Sequence, residues 1–223
     1  ISSYLKYKYE SNKYNLVKNA ESLDISQDTS KPKYITGFLS SNQTFTHKNQ
    51  SYLTQEINKY NIYKKIVVNK NSAYDTTEER HDSNNYTPVQ SVFLSRLNIN
   101  YLLKKIHDQY KTHIDTNTKP SDNYLDSSCN LNINLNTSDL NISNKVLVAH
   151  KYVNHGLLLD NSSYTIVGRF NGREFYDRVI IKKNQDITSI RQEYKDNTDF
   201  WFYLTSISLV CTCITGALEY NYK

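Results

Sequence analysis

The chain has 223 residues, enough to bury one core of ordinary size or two small ones. Its 27 Lys and Arg against 22 Asp and Glu leave a net charge of +5 and a pI near 8.9, a mild bias toward polyanions that guides encounter without specifying a fold. Three cysteines, Cys129, Cys211 and Cys213, exclude a disulfide framework and favour a reducing compartment, and the polar, tyrosine-rich stretch from Ile1 to Glu10 excludes a signal peptide there.

From Ile1 to about Pro88, short apolar clusters such as Tyr34 to Leu39 and Ile62 to Val68 alternate with Ser-, Asn- and Lys-rich stretches, and no period persists. The pattern predicts an extended or irregular N-terminal extension over residues 1–90 that gains order against a partner; a small domain of short strands fits it equally. Between Ser91 and Tyr110, the residues Val92, Leu94, Leu97, Tyr101, Leu102 and Ile106 recur at three- and four-residue steps, which predicts one face of a helix. Residues from Thr112 to Asn141 are mostly Asn, Ser, Asp and Thr and read as an insertion, in which only Leu131 to Leu135 alternates like a strand.

A second helix is expected from about Ser143 to Leu158, with Val146, Ala149, Val153 and Leu157 as its stripe, Ser143 as its cap and the turn-forming Asp160 to Ser163 as its end. Asn171-Gly172 between the β-branched and aromatic runs Tyr164 to Phe170 and Phe175 to Lys182 predicts a hairpin. Further strands are expected at Ile187 to Tyr194 and at Ser208 to Thr215. Residues 91–223 then form an α+β domain, two helices packed on an antiparallel sheet of about four strands, interrupted at about 112–141.

Three blocks in this region resemble the C-terminal domain of ribosomal protein S3. They are Val167-Gly168-Arg169-Phe170-Asn171-Gly172, then Ile187-Thr188-Ser189-Ile190-Arg191, then Leu209-Val210-Cys211-Thr212-Cys213-Ile214, in the order and at the intervals of that family's hairpin and two following strands. The chain departs from the family at Cys211, where a lysine is common, and at Cys213, where a tryptophan stands. The family's basic helix run is represented only by Asn144 to Ala149, which leaves an mRNA-unwinding role without support. Its KH half grips nucleotides through a Gly-x-x-Gly loop, and none occurs before Gly168. A separate chain carrying that half is the implied partner.

The resemblance implies a non-catalytic constituent of a small ribosomal subunit, bound to rRNA and neighbouring proteins in the head near the side where mRNA enters. Twenty Tyr, 5 Gly and 3 Pro with abundant Asn, Lys and Ile suggest A/T-rich coding DNA, and the start at Ile1 without any Met fits a processed product or one piece of a longer protein. Together these place the protein in the mitochondrial matrix. The residues implied to hold RNA phosphates are Arg169, Arg173, Arg178, Lys182, Lys183 and Arg191, with Lys145 and Lys151 on the expected helix. Gly168, Asn171 and Gly172 would form the turn and let backbone approach RNA. For each cation the ordinary alternative is a solvated surface charge.

No cofactor and no metal are expected. Cys211-x-Cys213 lacks a second tight pair, even with Cys129, His150 or His155 as further ligands. His81, His107 and His113 stand near Asp82, Asp108 and Asp115, but no nucleophile elbow, phosphate loop or HExxH accompanies them, so no enzyme is expected. The sequons at Asn42, Asn49, Asn85, Asn136, Asn141 and Asn161 are what chance gives so Asn-rich a chain. The rival reading starts from Phe200 to Leu218, which carries no charge and is long enough to span a bilayer. It makes the chain a C-terminally membrane-anchored accessory subunit of a mitochondrial respiratory complex; five Ser and Thr in the run weaken it.

Overall fold

The structure, a computed structural model, describes residues 2–23, 30–69, 72–121 and 143–221, with the side chains of 65–69, 72–75, 143–144 and 216–221 outside the description. Helix α1 (Ser2–Lys18) is followed by strands β1 (Glu21–Ser22), β2 (Lys33–Ser40), β3 (Phe45–His47) and β4 (Gln50–Tyr52). Two long strands, β5 (Thr54–Asn69) and β6 (Ser72–Pro88), lead to the short pair β7 (Phe93–Leu94) and β8 (Leu97–Asn98) and to helix α2 (Asn100–Tyr110). Then come β9 (Thr112–Pro120), β10 (Ser143–Gly156), β11 (Ser163–Phe170), β12 (Phe175–Lys183) and the 35-residue helix α3 (Ile187–Asn221). The architecture is α+β with mostly antiparallel sheets; β1 and β2 pair in parallel. Residues 1–90, expected to be extended or irregular, hold a helix and six strands.

The chain divides into two units, each built from segments distant in sequence. The first takes Ile1–Ser40, Phe93–Ile99 and Asp160–Lys223; the second takes Ser41–Val92 and Asn100–Leu159.

In the first unit the sheet runs β12-β11-β2-β7-β8, with β1 on β2. Its core joins Val17 and Ala20 beside α1 to Val167 of β11, Ile180 of β12, and Ile190 and Tyr194 of α3. The segment Ile187 to Tyr194, expected as a strand, is therefore the first two turns of α3. Asp186 caps it: its carboxylate accepts from Ser189 N at 2.8 Å and its carbonyl from Ile190 N at 3.1 Å. Ile187, Ile190 and Tyr194, three and four residues apart, then share the buried face, and packing of that face outweighs the strand preference of the β-branched residues. Ser208 to Thr215, also expected as a strand, continues the same helix.

In the second unit a four-stranded antiparallel sheet runs β6-β5-β10-β9, beside the β3–β4 hairpin. The segment expected as a helix from Ser143 is β10, which pairs with β5 on one edge and β9 on the other. Val146, Val148 and Tyr152 satisfy a two-residue period, and partners on both edges, remote in sequence, decide for the strand. The expected insertion opens as β9 and runs ordered to Pro120, while Leu131 to Leu135 lies outside the described residues. The helix expected from Ser91 begins at Asn100, whose Oδ1 accepts from Val92 N at 2.6 Å. It buries Leu102, Leu103, Ile106 and His107.

Candidate functional site

The β11–β12 hairpin turns at Asn171. Its Oδ1 accepts from Arg173 N and Glu174 N, both at 2.9 Å, and its own N–H donates to Glu174 O at 3.2 Å, so the asparagine closes the turn through its side chain. Gly172 alone takes the left-handed region there, at φ 92°. Gly168 is buried, and a Cβ on it would press on the Phe175 ring at 3.3 Å; it serves packing inside the sheet and offers no backbone to a ligand.

Between Val167 and Arg169 the register slips: Val167 pairs with Ile180, and Arg169 with Tyr176. β12 therefore bulges between Tyr176 and Ile180, over Asp177, Arg178 and Val179, of which Asp177 and Arg178 are exposed, with Asp177 at φ 60°. Arg169, Arg173 and Arg178 are exposed and have no side-chain partner among the described residues.

The other expected RNA contacts are engaged within the protein. Lys182 pairs with Glu193 at 2.6 Å and Lys183 with Asp160 at 2.9 Å. Arg191 donates to the carbonyls of Val17 at 3.0 Å and Ala20 at 2.7 Å, satisfying the open end of α1. Lys145 pairs with Glu78 and Lys151 with Glu79, both in the second unit. Of the eight cations, Arg169 and Arg178 line a common groove, and Arg173 lies in the hairpin turn outside it.

Arg169 and Arg178, with Asp177, line one side of a groove of about 490 Å³. The other side is α1, through Asn12, Lys13 and Asn15, with Asn19 in the turn just after it. Lys13 stands 3.6 Å from Glu10 and over the rings of Tyr9 and Tyr194. None of these α1 residues was singled out in the sequence; their signal was the spacing of three asparagines by three and four.

The second half of α3 presents Phe200, Phe202, Tyr203, Leu204, Ile207, Leu209, Val210 and Ile214 to the outside, each between 40% and 67% exposed. Its hydroxyls turn inward to the helix: Thr205, Ser206 and Thr212 donate to the carbonyls of Trp201, Phe202 and Ser208 at 2.7 to 2.9 Å. Cys211 and Cys213, expected on one face of a strand, lie on different sides of this helix. Among the described residues, no group of His, Cys, Asp and Glu could hold a metal ion, and no helix is long and apolar enough to cross a membrane.

In the second unit a buried polar chain escaped the sequence reading. Leu157 N donates to Thr54 Oγ1 at 2.9 Å, Thr54 Oγ1 meets His107 Nδ1 at 2.8 Å, and His107 Nε2 meets Glu56 Oε2 at 2.9 Å. Lys111 and Asn84 complete the carboxylate's shell. Burial pushes the Glu56 carboxyl up, but hydrogen bonds from Lys111, Asn84 and His107 outweigh it and hold the pKa at about 2. Burial likewise lowers the His107 pKa, partly offset by Glu56. Hydroxyl, imidazole and carboxylate follow one another as in a nucleophilic relay. Thr54 and His107 are wholly buried, however, so the chain is a clamp joining β5, α2 and the end of β10.

Set beside known proteins, the chain matches no family model, no curated protein and no solved structure.

Proposed function

We propose that the chain is a non-catalytic protein held at a membrane by the second half of α3. The observation that carries this is a broad exposed apolar surface on that helix half, which leaves Thr205, Ser208, Thr212 and Thr215 along one side and meets α1 where Tyr7 packs on Phe202. Successive residues of an α-helix stand about 100° apart, so Phe202, Tyr203 and Leu204, all exposed, face three directions. A protein groove covers one stripe; lipid covers every side. The described side chains reach Thr215, and in sequence the charge-free run continues through Gly216, Ala217 and Leu218. Counted from Phe200 to Leu218, the run would extend about 28 Å at a rise of about 1.5 Å per residue, close to the ~30 Å of a hydrocarbon core. Trp201 and Tyr203 near one end and Tyr220 near the other suit the two interfaces. An accessory subunit of a mitochondrial respiratory complex is the specific form of this reading.

One observation favours a second reading, a ribosomal constituent in the mitochondrial matrix bound to small-subunit rRNA: the three unpartnered arginines of a single hairpin. Its likeness to ribosomal protein S3 now rests on that hairpin, because the other two blocks lie in α3.

Alkaline carbonate washing of the native membranes separates the two. Retention in the pellet is expected. Release into the supernatant, with the protein then following the small subunit through high-salt sucrose gradients, would overturn the membrane reading in favour of the ribosomal one.

A further inference from the structure

The groove between α1 and the bulged hairpin has the composition of a ligand site. Lys182 and Lys183, close by in sequence, pair with carboxylates, and Arg191 is held by the carbonyls of Val17 and Ala20, whereas Arg169 and Arg178 stay without partners among the described residues at the wall of a concavity. The bulge is what exposes Arg178. Asp177 holds φ 60° within it, in the left-handed region that few residues other than glycine, asparagine and aspartate adopt. Across the groove, Asn12 and Asn15 lie on one face of α1 and Asn19 in the turn just after it.

We propose that this groove binds a phosphorylated polyol, its phosphoryl group on Arg169 and Arg178 and its hydroxyls on Asn12, Asn15 and Asn19. Guanidinium forks match phosphoryl oxygens bidentately. Carboxamides both donate and accept, which is what a hydroxyl needs. Asp177, adverse to a phosphate, accepts from a hydroxyl and so fixes the ligand's orientation. A volume of about 490 Å³ exceeds what a bare phosphate fills and falls within the ordinary range for small-molecule sites. The same chemistry belongs to a free sugar or glycerol phosphate and to the headgroup of an anionic lipid.

The test uses the full chain in neutral detergent, titrated calorimetrically with glycerol phosphate, inorganic phosphate and glycerol. In parallel it is reconstituted in phosphatidylcholine nanodiscs with or without phosphatidylinositol phosphate. Binding of glycerol phosphate to the detergent-solubilised chain identifies a free ligand. A response confined to the phosphoinositide discs, read as protection of the hairpin from hydrogen exchange, identifies a headgroup. In either case Arg169→Gln and Arg178→Gln are each expected to weaken binding by about tenfold or more, the loss of a charge-assisted pair. Asn15→Leu is expected to lower affinity for the polyol phosphate while leaving inorganic phosphate unchanged. Unchanged melting temperatures show that the variants fold, and carbonate retention, independent of this groove, is unaffected by them. Two results would overturn the proposal: wild type and both arginine variants responding alike, including no response from any, or an RNA oligonucleotide binding through Arg169 and Arg178 while glycerol phosphate and phosphoinositide discs compete with nothing.

Discussion

Glu56 keeps its charge inside the second unit because Lys111, Asn84 and His107 all donate to it. Removing the carboxylate by Glu56→Ala leaves His107, wholly buried, without its Nε2 partner, and breaking a buried ionic cluster from one side costs about 3–5 kcal/mol. Urea denaturation should show that loss as a lower midpoint with an unchanged slope. The pH dependence follows from the direction of both shifts. Glu56 is depressed from 4.5 to about 2, so its contribution is complete above 4.5 and disappears as pH falls from there toward 2. His107 is depressed below 6.5; the unfolded chain takes up its proton first, so that contribution too declines as pH drops below 6.5. Glu56→Gln should flatten only the more acidic window, measured as urea midpoints across the acid range. The sequence hid this cluster because Glu56 and His107 are 51 residues apart and meet only through the β5 and α2 arrangement. One trace was readable: Thr54, Glu56 and Asn58, alternate residues of a single strand, are all buried.

Among the elements, the β11–β12 hairpin was legible, since Asn-Gly is a local signal and the chain reverses there, through the four residues Asn171 to Glu174. Its details were not. Asn171 works through its side chain, and of the pair Asn171-Gly172 only the glycine holds a positive φ. Gly172→Ala, with open space around the new methyl group, isolates backbone strain and should cost about 1 kcal/mol in chemical denaturation. The unit's closing helix was illegible for a physical reason. Ile187, Thr188 and Ile190 are β-branched, and local preference points to a strand until the Asp186 cap and the buried face are both considered. The two halves of α3 then differ in what they contribute. Ile190→Ala should destabilise the first unit by about 2–5 kcal/mol, because a fully buried side chain leaves a cavity. Leu209→Ala, 66% exposed in the charge-free half, should change stability by less than about 0.5 kcal/mol in the same assay.

For the whole molecule, that contrast is the reason to look outside the chain for what covers Phe200 to Ile214. A helix half that exposes eight large apolar side chains is what the proposed membrane contact would cover. The charge-free run was visible in the sequence; its helicity was not, and an alternating strand reading of Ser208 to Thr215 had made a membrane role look weaker. Once helical, the hydroxyls that argued against lipid bond to carbonyls one turn earlier and present little polarity. A charge placed midway along the run then separates lipid from a ribosomal surface. Leu209→Arg puts a guanidinium near the centre, where insertion is disfavoured by about 2.5–3.5 kcal/mol. It should move a measurable share of the protein from the carbonate-resistant pellet to the supernatant, while Arg169→Gln leaves the partition as it was. If RNA were the partner, the sensitivities would reverse: Arg169→Gln would loosen association at high salt through a lost phosphate contact, and Leu209→Arg would not.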